Sequence, residues 1–113
     1  MILEVAVLNV KPGLQKEFEK SLRLASDHIS SIKGYMGLTL RKCLENENQY
    51  LLLVDWKDVE SHENGFRQSP AYLKWKELLH HYYEPFPTVE HYETIFEGIK
   101  KSTAKIPFKR YAP

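Results

Sequence analysis

The sequence predicts an α+β domain of ferredoxin-like βαββαβ order, in which a four-stranded antiparallel sheet carries two main helices on one face. Three observations point there. The chain has 113 residues, enough for one domain around a single core. Apolar residues make up 42% of it and charged residues 27%, a balance that suits a packed interior and not a disordered chain. The apolar spacing then switches between two residues and three to four residues in the order strand, helix, strand, strand, helix, strand.

Residues 2–10 form a Val-rich apolar run closed by Pro12 and Gly13, the pattern of a strand entering a turn. From Leu14 onward, Leu14, Phe18, Leu22, Ala25, Ile29 and Ile32 fall on one helical stripe, while Lys16, Glu17, Glu19, Lys20 and Arg23 lie off it and face water. Gly34 is the expected helix stop. Residues 35–44 and 50–57 read as a hairpin around Glu45, Asn46, Glu47 and Asn48. In its second strand Tyr50, Leu52, Val54 and Trp56 share one face, and Leu51 and Leu53 share the other. Both faces are apolar, so a partner subunit is expected to cover the side away from the helices.

Asp58 is placed to cap a short helix with Val59, His62 and Phe66 on one stripe. Ser69 and Pro70 open a longer one, serine as N-cap and proline where its missing N–H costs nothing. Its apolar arc holds Tyr72, Trp75, Leu78, Leu79, Tyr82 and Tyr83, with His80 at the edge and His81 facing away. Pro85 and Pro87 break this helix, and residues 89–96 alternate as the last strand. The domain is expected over residues 1–97. A tail, residues 98–113, holds five of the 16 basic residues and none of the 15 acidic ones. It either lies across an acidic surface of its own or a neighbouring subunit, or frays as termini commonly do.

A net charge of +1 gives no field to recruit nucleic acid or an anionic membrane, and neither is an expected partner. The single cysteine, Cys43, rules out an internal disulfide and any Cys-rich zinc pattern. The apolar start has no basic segment before it and no small-residue cleavage pattern, so the protein is expected to be cytoplasmic. The five glycines are scattered, so neither a P-loop nor a dinucleotide fingerprint exists and no nucleotide cofactor is expected, and no residue is assigned to a metal.

Aromatic residues are concentrated: of 14 in the chain, 10 lie between Tyr50 and Phe96, together with His62, His80, His81 and His91. Large rings either fill a small core or wall a cleft for a flat apolar ligand. His62, between Val59 and Phe66, is either a base with basicity lowered by desolvation or a core histidine bonded to a backbone carbonyl. His80 with Glu84 reads as a surface pair or as two metal or acid/base ligands. His91 is a second cleft candidate. Arg67 either donates to a ligand oxygen or pairs with Asp58 or Glu63, and Asn9 either donates into the cleft or caps the first turn.

The stretches Val10-Lys11-Pro12-Gly13, Tyr50-Leu51-Leu52-Leu53-Val54-Asp55-Trp56 and His62-Glu63-Asn64-Gly65-Phe66-Arg67-Gln68-Ser69-Pro70-Ala71-Tyr72, with the run from His80 to Tyr92, resemble the antibiotic biosynthesis monooxygenase family. The resemblance covers residues 1–97 and implies a dimeric α+β barrel, two sheets face to face with a cleft under each pair of helices. It implies a cofactor-independent monooxygenase oxidising a small aromatic of the phenol, quinol or anthrone kind. His62, Arg67 and Tyr72 would then be catalytic, and Phe66, Trp75, Leu79, Tyr83 and His91 would contact substrate. The haem-degrading branch of that family uses an asparagine, a tryptophan and a histidine where this chain has Ala6, Phe66 and Lys76, so haem is not the expected ligand. The alternatives are a non-catalytic dimer that binds a small molecule, or a cofactor-free isomerase with His62 and His91 as proton carriers.

Overall fold

The computed structural model of the chain describes residues 1–101. Its elements run β1 (Ile2–Asn9), α1 (Gln15–Ile29), β2 (Tyr35–Lys42), β3 (Gln49–Trp56), a π-helical turn (Ser61–Phe66), α2 (Pro70–Leu79) and β4 (Val89–Tyr92). The four strands form one antiparallel sheet in the order β2-β3-β1-β4, the ferredoxin-like arrangement. Strand pleating decides what goes inside. Glu4, Ala6 and Leu8 of β1 lie in register with Val54, Leu52 and Tyr50 of β3, and all six are buried on the helix side. Trp56 completes that row opposite Ile2. On α1 the stripe Phe18, Leu22, Ala25 and Ile29 is buried against this face. Phe18 is the hub, its ring 5.1 Å from that of Tyr50 and edge-on to Tyr82 and Tyr83. Burying each such ring contributes roughly 2–3 kcal/mol.

Several boundaries differ from expectation, each for a local reason. Helix α1 ends at Ile29, and Gly34 stands beyond it, in the turn that launches β2. Its φ of +94° is left-handed, the Lys57 N–H donates to its carbonyl at 2.8 Å, and a Cβ there would lie 2.2 Å from Ser61 Oγ. Gly34→Ala is therefore expected to lower stability by roughly 1–3 kcal/mol, read as a lower urea midpoint with unchanged slope.

The short helix expected after Asp58 is a π-turn. The Arg67 N–H reaches back five residues to the His62 carbonyl at 3.0 Å. Asp58 does cap it, accepting from the Ser61 N–H and hydroxyl, and these bonds hold its carboxyl below the usual range. The wider turn keeps His62 and Phe66 inward and swings Val59 off their stripe into solvent.

Helix α2 starts as expected, with the Ser69 hydroxyl accepting from the Tyr72 N–H and Pro70 in the first turn. It stops at Leu79, short of Tyr82 and Tyr83. Those two residues leave the helix and dock on the end of β1: the Lys11 N–H donates to the Tyr82 carbonyl, the Glu84 N–H donates to the Asn9 carbonyl, and Tyr83 bridges Val10. Both tyrosines stay in the core.

Strand β4 holds four residues, not the eight expected. Tyr92 pairs with Leu3, one residue inside the start of β1, the chain leaves the sheet there, and Ile95 and Phe96 are exposed. Leu3, Val5 and Val7 of β1 and Leu51 and Leu53 of β3 alternate with the buried row and line the sheet face away from the core. Of the basic tail, residues 98–101 are exposed and residues 102–113 lie outside the described part of the chain.

Candidate functional site

The chemistry collects where β1, β3 and β4 meet the π-turn. Glu4 lies directly opposite His91 in the β1–β4 register, and His62 of the π-turn packs over both. His62 is 2% exposed and Glu4 6%. The imidazole of His62 stacks on the indole of Trp56, with centroids 5.4 Å apart and planes 25° apart. Its Nε2 sits 3.3 Å from Glu4 Oε1, which also accepts the Trp56 indole N–H at 2.8 Å. Its Nδ1 lies 2.8 Å from His91 Nε2, and that nitrogen is 3.9 Å from Glu63 Oε1. A continuous line of titratable groups thus runs from buried Glu4 through His62 and His91 to exposed Glu63.

Burial governs the protonation of this line. Desolvation, then the neighbouring Arg67 and His91, push the His62 imidazole down to about 4. Desolvation pushes the Glu4 carboxyl up, against the opposing pull of the Trp56 hydrogen bond and Arg67. His62 therefore stays neutral near pH 7, held by both ring nitrogens.

Beside this line is a ring-lined cleft. Phe66, Arg67, Tyr72, Trp75 and Tyr83 line it with His62, Glu4, His80, Phe86 and Pro87. Phe66 is the pivot, edge-on to Tyr72 at 5.3 Å and to Trp75 at 5.6 Å. Arg67 closes the π-turn into the cleft, and its Nε is buried with no hydrogen-bond partner. The pairing with Asp58 or Glu63 that its spacing allows does not take shape: Asp58 accepts from Ser61, and Glu63 lies by His91.

The structure sorts the expected site residues. His62, Phe66, Arg67, Tyr72, Trp75 and Tyr83 share the cleft wall. Leu79 is buried in the core outside it. His91 touches His62 from β4 and does not line the cleft. Asn9 is exposed on the opposite sheet face and is excluded as a cleft donor. His80 is no surface partner of Glu84: it lines the cleft, edge-on to Phe86 at 4.8 Å, and desolvation with Lys76 and Arg67 lowers its basicity. Glu4 is the residue sequence reasoning passed over. Its even position in β1, level with Ala6 and Leu8, was the available signal.

The cleft is tight. Its free volume is about 30 Å³, room for a water, whereas an apolar cavity of about 150 Å³ takes benzene. The ring-sized opening expected from the aromatic density is thus closed here by the rings themselves. A larger cavity of about 340 Å³ lies elsewhere, between α1 and β2, walled by Leu22, Leu38, Leu40 and Tyr50. There the Tyr50 hydroxyl donates to Glu19 at 2.6 Å, which together with burial pushes its phenol pKa up.

Fold and site together define a ferredoxin-like domain with a buried carboxylate–histidine line against an aromatic cleft. Residues 1–78 match the antibiotic biosynthesis monooxygenase family. The uncharacterized protein YczJ of Bacillus subtilis is 50% identical over 95 residues, 84% of this chain and all of that one. A solved structure from Bordetella bronchiseptica, named for the same monooxygenase class, superposes with a TM-score of 0.81 at 30% identity, covering 84% of this chain and 97% of the other. SnoaB from Streptomyces nogalater, a cofactor-independent oxygenase, shares the fold at a TM-score of 0.66 and 21% identity, over 88% of this chain and 97% of its own. The chain belongs to the antibiotic biosynthesis monooxygenase family. Among the described residues no helix is long and apolar enough to cross a membrane.

Proposed function

We propose that the protein is a cofactor-independent monooxygenase acting on a small phenol- or quinol-like aromatic. The observation that carries this reading is the buried, unpartnered Nε of Arg67 on an aromatic wall beside Glu4 and His62. An N–H donor left without an acceptor in a desolvated cleft suits a phenolate oxygen. Membership of the antibiotic biosynthesis monooxygenase family and the fold shared with SnoaB, a cofactor-independent oxygenase, support it.

In this reading Arg67 and Tyr72 hold the developing oxyanion, Phe66 and Trp75 clamp the ring, and the Glu4 carboxylate, held in place by His62, accepts the proton the substrate releases. The electron-rich anion passes one electron to dioxygen, and the radical pair combines into a carbon-bound peroxide that takes up a proton. At a C–H carbon ortho or para to the phenolate oxygen, or at the methylene of an anthrone once it has lost its first proton, loss of the remaining hydrogen as a proton with O–O cleavage leaves a carbonyl and one water, so both oxygen atoms are accounted for. The protein's part is to desolvate, orient and shield. The exposed ring of Phe86, 57% accessible, is the wall that moves to admit a ligand. Oxygen uptake in air by the wild-type chain, supplied with hydroquinones and anthrones, tests the proposal. Uptake no faster than in protein-free controls would refute it.

The 340 Å³ cavity between α1 and β2 favours a second reading, a dimer that binds a small molecule without turnover, since its size suits a ligand as it stands. Saturable ligand binding by calorimetry, weakened in Leu40→Trp and unaccompanied by oxygen consumption, would support that reading.

Either reading takes the protein as a homodimer whose apolar sheet faces pack together, covering Leu3, Val5, Val7, Leu51 and Leu53. Val5 and Leu53 are paired in register at the centre of that face. Leu53→Lys is expected to shift sedimentation from dimer to monomer at micromolar concentration, and a wild-type chain that sediments as a monomer would remove the dimer.

A further inference from the structure

We propose that His62, His91 and Glu63 form a binding site for one divalent first-row transition ion of the zinc class, with His62 Nδ1, His91 Nε2 and a Glu63 carboxylate oxygen as ligands. The three donor atoms lie within 4.8 Å of one another, brought together from the π-turn and β4. Two imidazoles and a carboxylate are a donor set that zinc and its neighbours favour, and three protein ligands leave a fourth position for water.

The surroundings of His62 prepare it for this role. Its Nε2 faces Glu4 Oε1 at 3.3 Å, and that oxygen is fixed by the indole N–H of Trp56. The tautomer that binds the ion carries its ring proton on Nε2, facing that oxygen, and leaves the Nδ1 lone pair on the His91 side. A carboxylate behind a ligating imidazole, fixing its tautomer and orientation, is the usual outer-shell support of a histidine metal site.

The spacing is close to what an ion needs. Two nitrogens on one tetrahedral zinc stand about 3.3 Å apart. Here His62 and His91 are 2.8 Å apart, and His91 Nε2 and Glu63 Oε1 are 3.9 Å apart. The first gap must widen and the second close by about half an ångström each, and the third, from His62 to Glu63, which lies within 4.8 Å, must close by up to about 1.5 Å, through a tilt of the His91 ring and a swing of the Glu63 side chain. His62 is wedged between Trp56 and Phe66, so the adjustment falls to its partners. His91 stands on the four-residue strand β4, and the Glu63 side chain is 45% exposed, which also gives an ion its way in from solvent.

This inference rests on geometry and does not depend on the oxygenase reading. The test uses the untagged full-length chain, stripped with EDTA and titrated with zinc chloride by calorimetry and with cobalt chloride by visible absorption, in a non-coordinating buffer. One ion per chain is expected. His91→Ala should weaken binding about 100-fold or more and Glu63→Gln at least about tenfold, by comparison with the 10–100-fold that outer-shell changes cost. Cys43→Ser and His81→Ala should bind as wild type. Absence of one-to-one binding, binding that survives both ligand substitutions, or binding lost in Cys43→Ser would overturn the proposal. If His91→Ala proves unfolded by circular dichroism, Glu63→Gln, changed at an exposed side chain, decides alone.

Discussion

Trp56→Ala is expected to destabilise the protein by about 3–5 kcal/mol from the lost ring alone. A further 1–3 kcal/mol is expected because the substitution strips a hydrogen bond from a buried carboxylate. Trp56 is fully buried. It meets Tyr35 edge-on at 5.9 Å, lies 5.9 Å from Phe66, stacks on His62 and donates its indole N–H to Glu4. No neighbour can collapse into the space without dislodging the histidine. A domain of this size is stable by roughly 5–15 kcal/mol, so the variant should be largely unfolded or close to it. Urea unfolding followed by far-UV circular dichroism measures the loss. Trp56→Phe, which keeps most of the ring and removes the donor, should lose about 1–3 kcal/mol. Leu73→Ala, at a largely exposed position, should stay within about 0.5 kcal/mol of wild type. A Trp56→Ala loss below that of Trp56→Phe would contradict this account of the core.

The same tryptophan shows what a single chain discloses about its fold. Its place in the buried row with Tyr50, Leu52 and Val54 follows from strand alternation, because a period of two leaves only one face for each residue. The stripe on α1 and the serine–proline start of α2 are equally local signals. Glu4 is different: its face could be read by parity with Ala6 and Leu8, but its value depends on Trp56 and His62, more than 50 residues away, and no spacing rule links them. The His62–His91 contact joins a turn to a strand 29 residues later. The π-turn left no mark, since its one extra residue per turn comes from how Asp58 and Arg67 close its ends. The end of β4 is a matter of pairing and not of local pattern: its register with β1 runs only from Leu3 to Ala6. Cleft volume depends on rotamers of rings from the π-turn, α2 and the segment that follows it, so residue types named the wall and not the space within it.

Arg67→Met should reduce the rate of oxygen consumption by about 10²–10³-fold with little change in stability. Methionine fills similar space along the cleft and removes both the orphan donor and the charge. The folded state forfeits no hydrogen bond at Nε, because that atom has none. The effect should fall on kcat more than on KM, since a donor aimed at a developing oxyanion acts mainly in the transition state. Arg67→Lys should recover little, because an ammonium cannot place a flat N–H where Nε stands. His62→Ala should also lose activity, about 10²–10⁴-fold, but with a fall in stability, because it removes a buried ring packed on Trp56 and takes from Glu4 one of its two partners. The two variants thus separate donor from scaffold. Oxygen uptake by Arg67→Met equal to wild type, in a chain that unfolds at the same urea concentration, would mean that substrate oxygen is held elsewhere and that the unpartnered Nε is a feature of packing alone.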